Sequence, residues 1–470
     1  MKPVKVAAVA WLTVRAAIRS RMVVSLLAAL AAVVVGLPLA VKGDGSAAGL
    51  IRVLLDYTLG LAAWLLAVAT LWAGCGAIAN EIESKSIRLM AVKPVRRHEL
   101  WLGKWAGLLL LDAALLALSG AVVYGLARRA ASSPGLAAGE RRALEEELLA
   151  GRRRIAPRLE SVQDEVRRRY AQAAARPEAV AGLTRQELET ELRKRVLGER
   201  LTVPPGASRE WRLEVPLGRG GPRPVSLRFR LSTMARSRTP VAGEWRIATG
   251  DGRELCRVRC ARCVGGPYLL NLPRDVWDQM RARAGAARSL PLVVRFTNDP
   301  PSASGTALFD FGAPVELLVR ESGFAGNLAR ALLVILCELA CVAAVGLTAG
   351  AVFSYPVAVF TSLAFLAMTL LSHYFVVASS AEFAAVESGE EEGQAAAWLT
   401  TAGAYTARGL DALMRPALEF DPIARLSDGV LVPWPWTGKA VLYLAVVYPG
   451  ALLAAGAWAL RRRELALSGG

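Results

Sequence analysis

The chain has 470 residues, of which 54 % are hydrophobic and 21 % charged, with a formal net charge of +17. That balance excludes a disordered chain and argues against an ordinary soluble enzyme. Six cysteines and two histidines are too few for a disulfide scaffold or a His-rich metal enzyme.

The apolar residues cluster into runs that predict membrane spans. Residues 4–21 set Val, Ala, Leu and Ile opposite Arg15, Arg19 and Arg21. That pattern fits an amphipathic helix in the membrane interface, or a plain extension of the first span. The first apolar run is Val23–Val41; its length and the runs after it favour an uncleaved helix over a signal peptide. Tyr57–Asn80 is free of charge, and Trp105–Gly125 is interrupted only by Asp112. Leu339–Ala381 has no charged residue and is about twice the ~20 residues a span needs, so it reads as two helices joined by a tight turn near Gly350–Pro356. Ala440–Leu460 completes an expected set of six.

Six spans put the N-terminus, the 80–104 loop, the Gly350 turn and the C-terminus on one side. Those stretches carry Lys2, Lys5, Arg15, Arg19, Arg21, Lys85, Arg88, Lys93, Arg96, Arg97, Lys104 and Arg461–Arg463, whereas the 43–56 loop has only Arg52 and the 379–438 loop is acidic. The positive-inside rule then places both termini in the cytoplasm of a bacterial inner-membrane protein. Trp434 and Trp436 suit the interfacial aromatic belt before the last span.

Residues 128–326 form a long polar insert with 36 basic and 23 acidic side chains. Long segments cross regardless of charge, so this excess does not reverse the orientation. Over 128–207 the pattern is charged and helical, with Leu144, Leu148, Ile155, Leu159, Val162 and Val166 at helical spacing and Pro177 between two helices. Arg–Glu pairs four apart support such helices. Over 208–326 the period changes to two, in WRLEVPL, PVSLRFRLS, GEWRIATG, ELCRVRC, LPLVVRFTN and PVELLVRES, which reads as a β-sandwich. Few aromatics interleave with the arginines, and the insert is expected outside the cytoplasm. A solvated face, or contact with anionic headgroups and polymers, therefore fits better than nucleic acid.

Cys256, Cys260 and Cys263 form the single cysteine cluster. One disulfide with a leftover thiol, three unpaired buried thiols, and a three-thiolate metal site all remain open. The first suits an oxidising compartment, and the last lacks a fourth ligand nearby. Asp112 and Glu338 are isolated intramembrane acids, which either line a path or a dimer contact, or bond to Ser or Thr of a neighbouring helix. No phosphate-cradling G-x-x-x-x-G-K-[ST], G-x-S-x-G or H-E-x-x-H motif occurs, and no catalytic constellation is expected.

The informative stretch is Ile78–Gly107, IANEIESKSIRLMAVKPVRRHELWLGKWAG. Glu81 and Glu83, then Ser86, then Pro94, Val95, Arg96 and Arg97, then Leu102, Gly103 and Lys104 resemble the loop after span two in permease subunits of ABC-2 type transporters. Lys85 stands where that family commonly has Gly. Ser354–Tyr355–Pro356–Val357–Ala358 resembles the family's turn between spans four and five, and Arg461–Leu465 its ending. The resemblance covers the six spans and their cytoplasmic links but not residues 128–326.

The apolar runs and the two periodicities predict a polytopic α-helical membrane protein with six transmembrane helices and an α+β extracytoplasmic insert between spans three and four. Its parts would be 1–127 (interfacial helix, spans one to three and a coupling loop at 80–104), 128–207, 208–326, and 327–470 (spans four to six and the 379–438 loop). The family works as two permease chains with two separate ABC ATPase subunits, which hold ATP and Mg; this chain is expected to bind no cofactor and to be no enzyme itself. A short helix bearing both signs of charge suits docking on such a partner. A merely topogenic basic loop is the alternative. The insert is expected to meet a substrate or a periplasmic or envelope partner. A mechanotransmission or envelope-anchoring protein that moves nothing across the bilayer is the rival function.

Overall fold

The computed structural model describes residues 3–19, 21–37, 46–84, 96–157, 162–174, 185–217, 223–233, 241–263, 267–300, 305–309, 314–368 and 419–462. The chain divides into two compact units, one formed by Met1–Leu149 with Gly323–Gly470 and the other by Ala150–Ser322.

The first unit is helical. Helix α1 spans Pro3–Arg19 and α2 Arg21–Ala31 with a π-helical continuation over Ala32–Gly36. Among the described residues, four helices are long and apolar enough to cross a membrane: α3 (Ala47–Glu83), α4 (Arg97–Ala131), α9 (Phe324–Val352) and α12 (Trp434–Ala459). The α1–α2 pair, bent by 69°, passes the same test only if taken as one broken span. A short helix α5 (Ala138–Glu147) follows α4. After α9 the helix breaks at Phe353 and Ser354, and α10 (Tyr355–Met368) begins, with Pro356 in its first turn where a missing N–H costs nothing. A one-and-a-half-turn helix, α11 (Pro422–Ser427), precedes α12. Large apolar side chains point outward from this unit, among them Trp64, Trp72, Leu110, Leu118, Phe360 and Trp458, the surface a bilayer would cover. The far end of the expected first span (38–41), the tail of the fifth (369–381) and most of the 379–438 loop lie outside the described residues.

Small residues let these helices approach. A Cβ on Gly346 of α9 would stand 2.6 Å from the Leu71 carbonyl of α3, and one on Gly350 would come closer still to Cys75. Gly346 and Gly350 are four apart, the small-xxx-small spacing of close membrane helix pairs. Gly103 and Gly107 of α4 do the same for α1, since a Cβ at Gly107 would lie 2.7 Å from the Ala10 carbonyl. We expect Gly346→Val to cost toward the upper end of about 1–3 kcal/mol by overpacking. Gly125→Ala on α4, which meets open space, should be neutral. Thermal unfolding of the detergent-solubilised variants measures both.

The second unit is β-rich. Helices α6 (Val162–Ala174) and α7 (Arg185–Leu201) pack on each other and are tied by Arg169, which reaches both Glu165 and Glu199 at 2.8 Å. One sheet orders strands β3 (Ser208–Pro216), β8 (Ser289–Asn298), β5 (Val241–Thr249) and β6 (Glu254–Cys263). The other is built around β4 (Val225–Thr233), which pairs with β10 (Val315–Gly323), β7 (Pro267–Asn271) and β9 (Ala307–Phe309). Strand β1 (Ala150–Ile155) joins β10, and β2 (Thr202–Val203) joins β9. Inward residues of both sheets meet in one core, where the Trp245 ring lies 4.7 Å from Phe229 and 4.8 Å from Phe296. A helix that alternation did not reveal, α8 (Val276–Ala284), buries Val276, Trp277 and Met280 in the same core.

The expected helix through Ile155 is corrected here: residues 150–155 form a strand. Ile155 enters the sandwich core, and Arg153 and Arg154 pair with Glu321 and Glu316 of β10. Tertiary pairing thus overrides the local helical pattern. The compact unit is also narrower than the 128–326 insert, because α4 continues to Ala131 and Leu144, Leu148 and Leu149 join the core of the helical unit. Many of the arginines turn out to be committed in the sandwich. Arg228 holds the buried Glu316 through two bonds of 2.9 and 2.6 Å, Arg295 reaches Glu210, and Arg259 lies 3.1 Å from Asp299.

Candidate functional site

The Glu81–Lys104 region is where the candidate residues converge. Glu81 and Glu83 sit on the last turn of α3, and Arg96, Arg97 and Lys104 on the first turns of α4. Ser86 and Pro94, between these helices, lie outside the described residues. The Arg96 backbone N–H donates to the Glu99 carboxylate at 3.1 Å, which satisfies one of the donors orphaned at the start of α4.

Lys104 is buried, and its Nζ donates to the Glu81 carboxylate at 2.6 Å and to the Ala77 carbonyl at 2.7 Å. An ammonium taken out of water at this depth needs both partners. Glu83 accepts from the backbone N–H of Tyr355, the first residue of α10, at 3.0 Å. The Trp72 indole N–H of α3 donates to the Tyr355 hydroxyl oxygen. On the far side of α4, the Trp105 indole N–H donates to the Ala340 carbonyl of α9 at 2.8 Å. Both flanks of the 85–95 segment are therefore cross-tied to each other and to α9 and α10. Glu81, Glu83 and Lys104 are brought together with Tyr355, which sequence reasoning placed only in a turn. Arg96 is exposed, and Arg97 is half-buried beside it on α4.

One of the two intramembrane acids has a neighbour of its own. The Thr70 hydroxyl donates to Asp112 Oδ1 at 2.7 Å, joining α3 to α4 at a buried position. A cavity of about 570 Å³ opens beside this pair, with α1, α3, α4 and Tyr355 as its walls. It takes in Asp112 at one place and the Glu81–Lys104 pair at another. Glu338 of α9 is half-buried and does not line it.

Before α12, the chain is clamped to α9. The buried Asn327 amide donates to the Val430 carbonyl at 2.9 Å and accepts from the Val432 N–H at 2.8 Å. Trp434 remains exposed, whereas Trp436 stacks edge-on against Phe420 under the Arg425 guanidinium.

In the β-rich unit, Cys260 is disulfide-bonded and Cys256 is a free, buried thiol; the Cys263 side chain lies outside the described residues. Among the described residues no group of three His, Cys, Asp or Glu could hold a metal ion. Burial first, then the negative charges of Asp275 and Glu254, push the Cys256 thiol up to about 11. Thiolate is the reactive form. Native protein at pH 8 should therefore alkylate at Cys256 at least about a hundredfold more slowly than denatured protein, as mass spectrometry of iodoacetamide-treated samples would read. Because the thiol titrates higher folded than unfolded, its contribution to stability is whole below the unfolded value near 9 and is lost as pH rises toward 11.

No family model, curated protein or solved structure matches the chain.

Proposed function

We propose that the chain is the transmembrane permease subunit of an ABC-2-like transporter, moving a substrate, most simply outward, on ATP hydrolysed by a separate ATPase subunit. The observation that carries this reading is the cross-tied base of the 85–95 segment. A transporter without its own ATPase must take force from one. The Lys104–Glu81 pair joins that segment's two flanks, α3 and α4, and the Glu83–Tyr355 bond adds α10, so a push on it moves the three helices together.

In this reading six spans cross a bacterial inner membrane, with both termini and the 81–97 segment in the cytoplasm and residues 128–326 outside it. A second permease chain, identical or related, completes the pathway. ATP and Mg belong to the partner. A gentle-detergent pull-down of the tagged chain from its native host, read by mass spectrometry, tests this. A co-purifying ATPase lost on Arg97→Glu supports it, and envelope proteins without any ATPase refute it.

A second reading is favoured by the size and compactness of the Ala150–Ser322 unit. There, ATP cycling moves that unit against an envelope partner and nothing crosses the bilayer. Substrate uptake by vesicles containing the purified complex separates the two.

A further inference from the structure

The cavity beside Asp112 has features that neither a coupling loop nor helix packing requires. Asp112 is 4 % exposed, and while Oδ1 accepts from Thr70, Oδ2 is buried without a hydrogen-bond partner. A buried acceptor left open is costly, more so if the group is charged, so the site is short of a donor. The nearest cation that lines the cavity, Lys104, is committed to Glu81 and the Ala77 carbonyl. The carboxylates thus outnumber the ammonium, and the cavity favours positive charge. Trp72 and Tyr355 also line it, aromatic residues of the kind that attract cations, and Leu12 and Leu111 supply an apolar wall. The volume, about 570 Å³, lies within the range of small-ligand sites.

We propose that this cavity binds a cationic amphiphile, its ammonium on Asp112 Oδ2 and its alkyl chain along the apolar wall that α1 and α4 supply. The ammonium supplies the donor that the carboxylate lacks, and the chain replaces lipid or water against Leu12 and Leu111. The proposal goes beyond the permease reading and does not depend on it, since no ATPase is needed for binding.

The test uses the full-length protein in detergent with a diazirine-bearing dodecylamine, its dodecanol counterpart as the uncharged control, and peptide mapping after illumination. The amine is expected to label peptides of α1, α3 or α4 around the cavity about tenfold more than the alcohol, a preference equivalent to about 1.4 kcal/mol. Asp112→Asn, which keeps the Thr70 bond, should bring the amine down to the alcohol's level. Equal labelling by amine and alcohol, or undiminished amine labelling of Asp112→Asn, would overturn the proposal. If Asp112→Asn fails to fold, Ala69→Phe fills the cavity and keeps the acid. It should abolish the labelling, and persistent labelling there overturns the proposal equally. An ATPase missing from the pull-down would leave this result untouched.

Discussion

Glu81→Lys is expected to destabilise the helical unit by about 3–5 kcal/mol, the cost of stranding a buried charge without its partner. The Lys104 side chain is 6 % exposed and that of Glu81 25 %, so water can relieve only one end of the pair. The substitution would set two ammoniums where 2.6 Å now separates opposite charges. The swap Glu81→Lys with Lys104→Glu should recover only part of the loss. A carboxylate at 104 would face the Ala77 carbonyl, which now accepts from Lys104 and offers no proton. Thermal unfolding and size-exclusion profiles of the two variants and the wild type in one detergent measure this. Equal stability of Glu81→Lys and wild type would mean that the pair does not hold α3 to α4.

Trp245→Ala should cost the β-rich unit about 3–5 kcal/mol, the range for truncating a fully buried aromatic. Trp245 has no exposed surface and touches Trp211, Phe229, Phe296 and Phe309, drawn from both sheets. No neighbour can close a hole lined by four rings. Arg246→Ala, the next residue on the same strand, should stay within about 1 kcal/mol, because its pair with Glu244 is largely solvated. Limited proteolysis of the full chain distinguishes them. Cleavage within 150–322 should accelerate for Trp245→Ala and not for Arg246→Ala.

The parts legible in the sequence were those whose periodicity is local. Alternation around Trp211, Trp245 and Phe296 marks β3, β5 and β8 because each strand is covered on one face only. The break after α9 is visible at Ser354–Tyr355–Pro356, since proline cannot continue a helix interior. Strands β2 and β9, of two and three residues, are too short to show a period; β9 forms on β4, and β2 forms on β9. The helix α8 is signalled only by Val276, Trp277 and Met280 on one face and by Gly285 at positive φ after it. In β1, three successive arginines sit in a stretch that reads as charged helix until the partners of Arg153 and Arg154 on β10 are known.

Site residues divide in the same way. Glu81 and Lys104 are recognisable by resemblance, but their contact spans 23 positions and depends on how α3 and α4 pack. The Thr70 bond to Asp112 spans 42 positions, and the Glu83 bond to Tyr355 spans 272. Gly103 belongs to the quoted Leu-Gly-Lys run, yet its physical role is to admit Val9 of α1, against which a Cβ would stand 2.5 Å away. Sequence spacing carries the residue types. The helix packing supplies the partners.

In the proposed function a separate ATPase pushes on the 81–97 segment. Site-specific photo-crosslinking in the native host, with a photoreactive amino acid replacing Ser86 and the adduct identified by mass spectrometry, probes that contact itself. An ABC-type ATPase is expected in the crosslinked product, absent when the same photoreactive residue replaces Arg52 in the 43–56 stretch. A Ser86 adduct containing only lipid or envelope proteins would contradict it.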